Sequence, residues 1–126
     1  MTKAHQNIIQ ALTNVCGKTN VITSKWAKQS HTKGWRYGQG SALAVTKPES
    51  LIQMWKLLKV CISKDVIVIM QAANTGLTGG STPYGKGYDR PIIIINTLRI
   101  NTIHSLNNGH QAVSYTHLTL PTTPYV

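Results

Sequence analysis

An α+β domain is predicted by three features of the sequence: apolar residues at helical spacing, β-branched runs without alternation, and a glycine-rich loop between two such runs. Ala4, Ile8, Ala11, Leu12 and Val15 recur on one helical face, and Gly17 follows as a stop. Residues 18–40 are polar and irregular, ending in Gly34, Gly38 and Gly40, and Ala42–Val45 then suits a short strand. Pro48 is placed to open a second helix at its first turn, with Glu49 near the positive end of the dipole. Leu51, Trp55, Leu58 and Ile62 mark the apolar face of that helix, widened by Met54 and Cys61, so Trp55 is read as core. Val66–Met70 and Ile92–Ile95 are β-branched runs of the kind found in strands covered on both faces. Ile100–Leu106 suits one further strand. The expected order is helix, strand, helix, strand, glycine loop, strand.

A chain of 126 residues suffices for one small domain or part of a larger one. Thirteen Lys and Arg stand against three acids, Glu49, Asp65 and Asp89, for a formal charge of +10. That balance favours a polyanionic partner: nucleic acid, anionic lipid or a phosphate-bearing cofactor. The cations are scattered from Lys3 to Arg99, and their loosest grouping, Lys18, Lys25, Lys28, Lys33 and Arg36, reads as solvated surface. A nucleic-acid-binding module needs clustered basic residues with aromatics between them. Only Trp26, Trp35 and Tyr37 speak for that alternative, and no nucleic acid partner is expected. No run approaches the roughly 20 apolar residues that cross a bilayer, and Met1–Gln10 lacks a signal-peptide pattern. Cys16 and Cys61 lie on apolar helical stripes and are read as buried, reduced thiols. The five His residues show no metal-ligand spacing, and none has a partner that marks it as a catalytic base.

The segment from Ala72 to Gly87 carries five glycines in sixteen residues. Glycine adds unfolded-state entropy that folding must remove, so this density is expensive for a mere connection. It is useful where backbone N–H groups must turn toward one anion with no side chain in the way. Asn74, Thr75, Ser81 and Thr82 add short hydrogen-bonding groups without charge, which suits phosphate or pyrophosphate oxygens. The alternative is a wide turn or hairpin using glycine only for geometry. Gly80–Lys86 approximates a P-loop, but Gly87 stands where the magnesium-binding Ser or Thr belongs, and a strand follows instead of a helix. Gly38 and Gly40 begin a G-x-G-x-x-G pattern that Leu43 breaks, so a Rossmann turn is also excluded.

The string Met70-Gln-Ala-Ala-Asn-Thr-Gly-Leu-Thr-x-Gly-Ser-Thr-Pro83, with Tyr88-Asp89-Arg90 and the run to Leu98-Arg99, resembles the respiratory quinone-dependent D-lactate dehydrogenases. Gly34-x-Arg36-x-Gly38-Gln39-Gly40-x-Ala42-Leu43-Ala44-Val45 matches that family too, as does the helix with Trp55, Leu58 and Cys61. The resemblance covers about residues 5–112. It implies the first part of an FAD-binding domain of the vanillyl-alcohol oxidase and p-cresol methylhydroxylase (PCMH) type, incomplete at this length. It implies noncovalent FAD, held at matching positions by Ala72, Ala73, Asn74, Thr75, Gly76, Gly80 and Ser81. It further implies oxidation of D-lactate to pyruvate, electron delivery to membrane quinone, and peripheral attachment at the cytoplasmic face of the bacterial inner membrane. The basic surplus would there meet anionic lipid. An FAD-linked enzyme for another 2-hydroxy acid, such as glycolate, is the alternative. Gly79 departs from the pattern, since the family tends to carry an acid there.

The residues expected to handle lactate, including the catalytic base, belong to sequence beyond this resemblance, so the fragment is expected to be inactive alone. Val113-Ser-Tyr-Thr-His-Leu118 matches the translation of the transposon-end adaptor used to prepare sequencing libraries. Residues 113–126 are therefore expected to be a non-native tail, and residues 1–112 the partial FAD-binding domain.

Overall fold

The computed structural model describes the backbone of residues 2–34, 38–106 and 110–113, and the side chains of those up to residue 102. The first helix, α1 (Lys3–Cys16), is capped by Thr2, whose hydroxyl accepts from the His5 N–H. It ends at Gly17, where φ is +88°, a conformation glycine adopts without a Cβ penalty. Of the expected stripe Ile8 and Leu12 are buried, Ala11 and Val15 half-buried and Ala4, in the first turn, exposed; Cys16 completes the buried face.

Residues 18–40 are more regular than their composition suggests. They hold a 3₁₀ turn (Lys18–Asn20), the two-residue strand β1 (Val21–Ile22) and a helix, α2 (Lys25–Thr32). Ser24 caps α2 by accepting from the Ala27 N–H. The helix buries only Thr32 fully, so it presents no apolar stripe for periodicity to detect.

Strand β2 (Ala44–Thr46) leads to helix α3 (Leu51–Ser63), strand β3 (Ile67–Gln71) and, after residues 72–91, strand β4 (Ile92–Asn96). A β5–β6 hairpin (Ile103–Leu106 and His110–Val113) follows, antiparallel with Ile103 opposite Val113. The expected tail boundary thus falls inside this pairing, and residues 114–126 lie outside those described. The four-stranded sheet runs β1-β2-β4-β3, with β1 antiparallel to β2 and both β2 and β3 parallel to β4.

Three expectations for this region need correction. Pro48 does not open α3: Ser50 is its cap, accepting from the Gln53 N–H, and Glu49 precedes the helix. A hydroxyl cap satisfies an orphan amide, which Pro48 two residues earlier cannot do. The apolar face of α3 is also turned. Leu57 and Cys61 are buried, whereas Leu51, Trp55 and Ile62 are exposed, and Lys59 lies over the Trp55 ring at 4.4 Å. Both stripes have helical spacing, and α1 packs against the one carrying Leu57 and Cys61. Strand β3 is only half-buried, with Met70 exposed, while β4 is the strand buried along its whole length. Position explains this, since β4 has a hydrogen-bonded neighbour on each side and β3 has one.

Alternation along β4 divides the core. Ile93 and Ile95 join Ala44, Val66, Leu57, Cys61, Ile8 and Leu12 beneath α1 and α3. Ile92 and Ile94 join Ala42 and Val45 on the opposite face. Cys16 and Cys61 are free thiols, as expected. Burial pushes Cys61 up to about 11, and Cys16 rises for the same leading reason. Among the described residues no helix is long and apolar enough to cross a membrane.

Leu57→Ala should destabilise the 126-residue chain by about 2–5 kcal/mol in urea unfolding, the range for deleting a buried leucine. Ile62→Ala, on the exposed stripe, should change it by less than about 0.5 kcal/mol. Equal losses would return the core to the stripe that periodicity picks out. Because the raised Cys61 value favours the neutral thiol in the folded chain, its stabilising contribution is complete below 9.0 and disappears as pH rises through about 11. At pH 8 a thiol-reactive disulfide dye should modify the native chain at least about tenfold more slowly than the urea-unfolded chain.

Candidate phosphate-binding loop

Parallel strands cannot be joined by a hairpin, so residues 72–91 form a crossover from the carboxyl end of β3 back to the start of β4. This disposes of the hairpin alternative for the glycine segment. The carboxyl ends of parallel strands are where open α/β sheets take ligands. Both strands end there in a buried amide: Gln71 on β3 and Asn96 on β4 are register partners, 2% and 1% exposed.

Gln71 uses its entire hydrogen-bonding capacity. Its Nε2 donates to the backbone oxygens of His31 (2.8 Å) and Ser81 (2.9 Å), so its orientation is determined. Its Oε1 accepts from Asn96 Nδ2 at 3.0 Å and lies 2.9 Å from His31 Nδ1. Since that oxygen can only accept, His31 carries its proton on Nδ1 in this contact. Asn96 Nδ2 also donates to the Ala72 oxygen, and its Oδ1 accepts from the Leu98 N–H. One cluster of amides therefore joins α2, the start of the loop, its Ser81 end and β4.

Within the loop, Ser81 Oγ donates to Asn74 Oδ1 at 2.8 Å, and Asn74 Nδ2 donates to the Lys33 oxygen at 2.8 Å. Asn74 stands at φ +57°, a left-handed conformation its side chain tolerates better than most. These two side chains are thus committed to shaping the loop. Among the described residues, no backbone N–H from residue 73 to 81 donates to a protein acceptor. Ala73, Thr75, Gly76, Leu77, Thr78 and Gly80 are exposed.

The glycines differ in what surrounds them: a Cβ on Gly17, Gly85 or Gly87, as on Gly76, would meet nothing within 4 Å, whereas two others are tightly packed. A Cβ on Gly38 would fall on Thr82 Oγ1, and one on Gly40 would stand 2.9–3.0 Å from Pro83. Here glycine allows the Gly38–Gly40 segment to seat against Gly79–Pro83, a seat also held by the N–H of Gly85 donating to the Gln39 oxygen. Gly76 and Gly80 differ. A Cβ would meet nothing within 4 Å at Gly76, and only Thr78 Oγ1 at 3.7 Å at Gly80. Neither has a positive φ. Protein packing thus leaves both positions open, as a site approached closely by a ligand requires. The stretch from Ala72 to Ser81, uncharged, largely exposed and rich in backbone N–H groups without protein acceptors among the described residues, fits the pyrophosphate of FAD.

All seven residues matched by resemblance, Ala72, Ala73, Asn74, Thr75, Gly76, Gly80 and Ser81, lie on this one loop. Sequence reasoning missed Gln71, Asn96 and His31. The available signal was an amide ending each of two apolar strands. An open cleft of about 700 Å³ beside the loop is lined by Ala73, Asn74, Lys33, Gly34, Gln29 and Trp26. Lys28, behind it, donates to the Ala42 and Leu43 oxygens, and burial lowers its pKa.

No family model matches the sequence. Quinone-dependent D-lactate dehydrogenase of Haemophilus influenzae is 49% identical over 108 residues, which are 86% of this chain and 19% of that protein. The Escherichia coli protein of the same name is 44% identical over 119 residues, 94% of this chain and 21% of that one. The chain spans about a fifth of the length of the curated relatives it matches. Among solved structures, alkyldihydroxyacetonephosphate synthase superposes with a TM-score of 0.71 at 16% identity, over 81% of this chain and 20% of that one. p-Cresol methylhydroxylase with substrate bound superposes with a TM-score of 0.65 at 15% identity, over 85% and 21%. The chain is a homologue of one segment of the quinone-dependent D-lactate dehydrogenases and has the fold of the matching part of p-cresol methylhydroxylase.

Proposed function

We propose that this segment supplies the FAD-pyrophosphate loop of a dehydrogenase that oxidises D-lactate to pyruvate and delivers the electrons to membrane quinone. The observation that carries it is the stretch from residue 73 to 81, whose backbone N–H groups have no protein acceptor among the described residues and in which Gly76 and Gly80 are open. Ala72, Ala73, Asn74, Thr75, Gly76, Gly80 and Ser81 would hold the pyrophosphate, chiefly through backbone N–H groups. A left-handed residue such as Asn74 would help turn successive amides toward a common side, the kind of concavity that receives phosphate oxygens. Asn74 and Ser81 lock that curve by bonding each other. Preorganised donors of this kind bind without reorganising, which conserves affinity. When bound, FAD supplies the two-electron chemistry that links D-lactate oxidation to quinone reduction.

A quinone acceptor resides in the bilayer, so peripheral attachment at the cytoplasmic face of the inner membrane belongs to the proposal. The formal charge of +10 supports it, since basic surfaces are drawn to anionic lipid. A second reading keeps FAD and changes the 2-hydroxy acid. D-2-hydroxyglutarate dehydrogenase of Arabidopsis thaliana is 29% identical over 94 residues. The higher identity to the D-lactate enzymes favours D-lactate over that acid or glycolate.

The test is a chimera in which this segment replaces the 108 residues it matches in the full-length H. influenzae enzyme. It should bind FAD and reduce a quinone analogue with D-lactate; a correctly folded chimera that takes up no FAD would refute the reading. Gly76→Val in that chimera should weaken FAD binding at least about tenfold, roughly 1.4 kcal/mol, with its thermal midpoint almost unmoved. Gly40→Ala should instead lower the midpoint, because its methyl group would press on Pro83.

A further inference from the structure

The pyrophosphate of FAD carries two negative charges, yet none of the seven loop residues is charged. The structure assigns the missing counter-charge to Lys33: we infer that its ammonium pairs with the anion held by the loop. The inference rests on the FAD reading above and deepens it.

Three observations place Lys33 there. Lys33 lines the same open cleft as Ala73 and Asn74. Its backbone is tied to the loop, because Asn74 Nδ2 donates to the Lys33 oxygen at 2.8 Å. The anchoring residue, Asn74, is also the one in the left-handed conformation. Finally, the acids of the chain are engaged elsewhere. Arg90 holds Asp65 at 2.9 Å and Asp89 at 3.3 Å, and Arg99 lies 4.0 Å from Glu49. Among the described residues Lys33 therefore has no carboxylate partner. Lys28, one turn earlier on α2, is occupied by two carbonyl oxygens. Lys25 lines a neighbouring cavity that excludes the loop.

A lysine fits this role as a compact charge on a flexible stem, which reaches an anion without fixing its geometry. The backbone amides would set position and Lys33 would add attraction. Such a contact in an exposed cleft is partly screened, so its effect is moderate and salt-dependent.

The chimera described above supplies the assay, with FAD affinity read from flavin fluorescence on the apoprotein. Lys33→Gln should weaken FAD binding about fivefold at low ionic strength, Lys33→Glu further, and Lys33→Arg should restore most of the affinity. The gap between Lys33 and Lys33→Gln should narrow as salt is raised, while Lys25→Gln should match the unsubstituted chimera. A merely structural lysine would not give this charge order. Equal affinities across the Lys33 series, with FAD still bound, would overturn the inference and leave the loop assignment standing. Loss of FAD by the unsubstituted chimera would overturn both.

Discussion

The amide of Gln71 is the contact on which the site depends. It stands at the carboxyl end of β3, almost wholly buried, and bonds His31 in α2, Ser81 in the loop and Asn96 in β4. An amide buried without partners loses its hydration for nothing in return, so such a residue belongs only where every position is filled. Here all of them are. Removing the side chain would leave Asn96 and two carbonyl oxygens short of partners at once, so the network acts as a unit. Three segments distant in sequence are held to one point, and the loop between them inherits a fixed start and a fixed finish.

That arrangement follows from strand direction. Because β3 and β4 are parallel, the chain leaving Gln71 must travel the length of the sheet before entering Ile92. In most parallel pairs a helix makes that journey. Here the connection is irregular, and its backbone polar groups need other partners or solvent. Pro83 and Thr82 bury themselves against the Gly38–Gly40 segment, while residues 73–81 are exposed or half-buried and, among the described residues, their backbone N–H groups have no protein acceptor. The folded protein thus stabilises one half of the crossover by packing, while the other half has backbone N–H groups with no protein acceptor among the described residues. The fully buried β4 supports this, since four consecutive isoleucines fill both faces of the sheet below the loop.

How much of this was legible in the sequence depended on the type of signal. The β4 run, the α1 stripe and the Gly17 stop were readable because burial and local geometry act on the same residues. For α3 the signal was ambiguous. Leu51, Trp55, Leu58 and Ile62 satisfy helical spacing as well as the face carrying Leu57 and Cys61, and only packing against α1 chooses between them. Helix α2 escaped notice because it is polar on nearly every side and is held by its Ser24 cap and by Lys28 bonding to the start of β2. By composition the glycine loop stood open to two readings, an anion site or a wide turn or hairpin using glycine only for geometry. The distinction between glycines needed for packing and glycines left open was not legible, because it depends on Thr82 and Pro83, some forty residues away from Gly38 and Gly40.

Gly79 shows how backbone and charge act together at this loop. Its φ is +77°, and it lies directly behind Gly38. The acid that the family resemblance leads one to expect there would have to adopt a left-handed conformation, at a cost of about 1–2 kcal/mol for most L-residues. It would also set a negative charge beside a segment suited to phosphate, where like charge opposes binding. Glycine removes both penalties and takes away a hydrogen-bonding side chain. The stretch from residue 72 to 83 is therefore uncharged, and in the proposed role its attraction for an anion would come from amides and from cations alongside it. No residue from 72 to 83 carries a charged side chain. What varies is the surrounding field of lysines and arginines, which salt can screen and lipid headgroups can share.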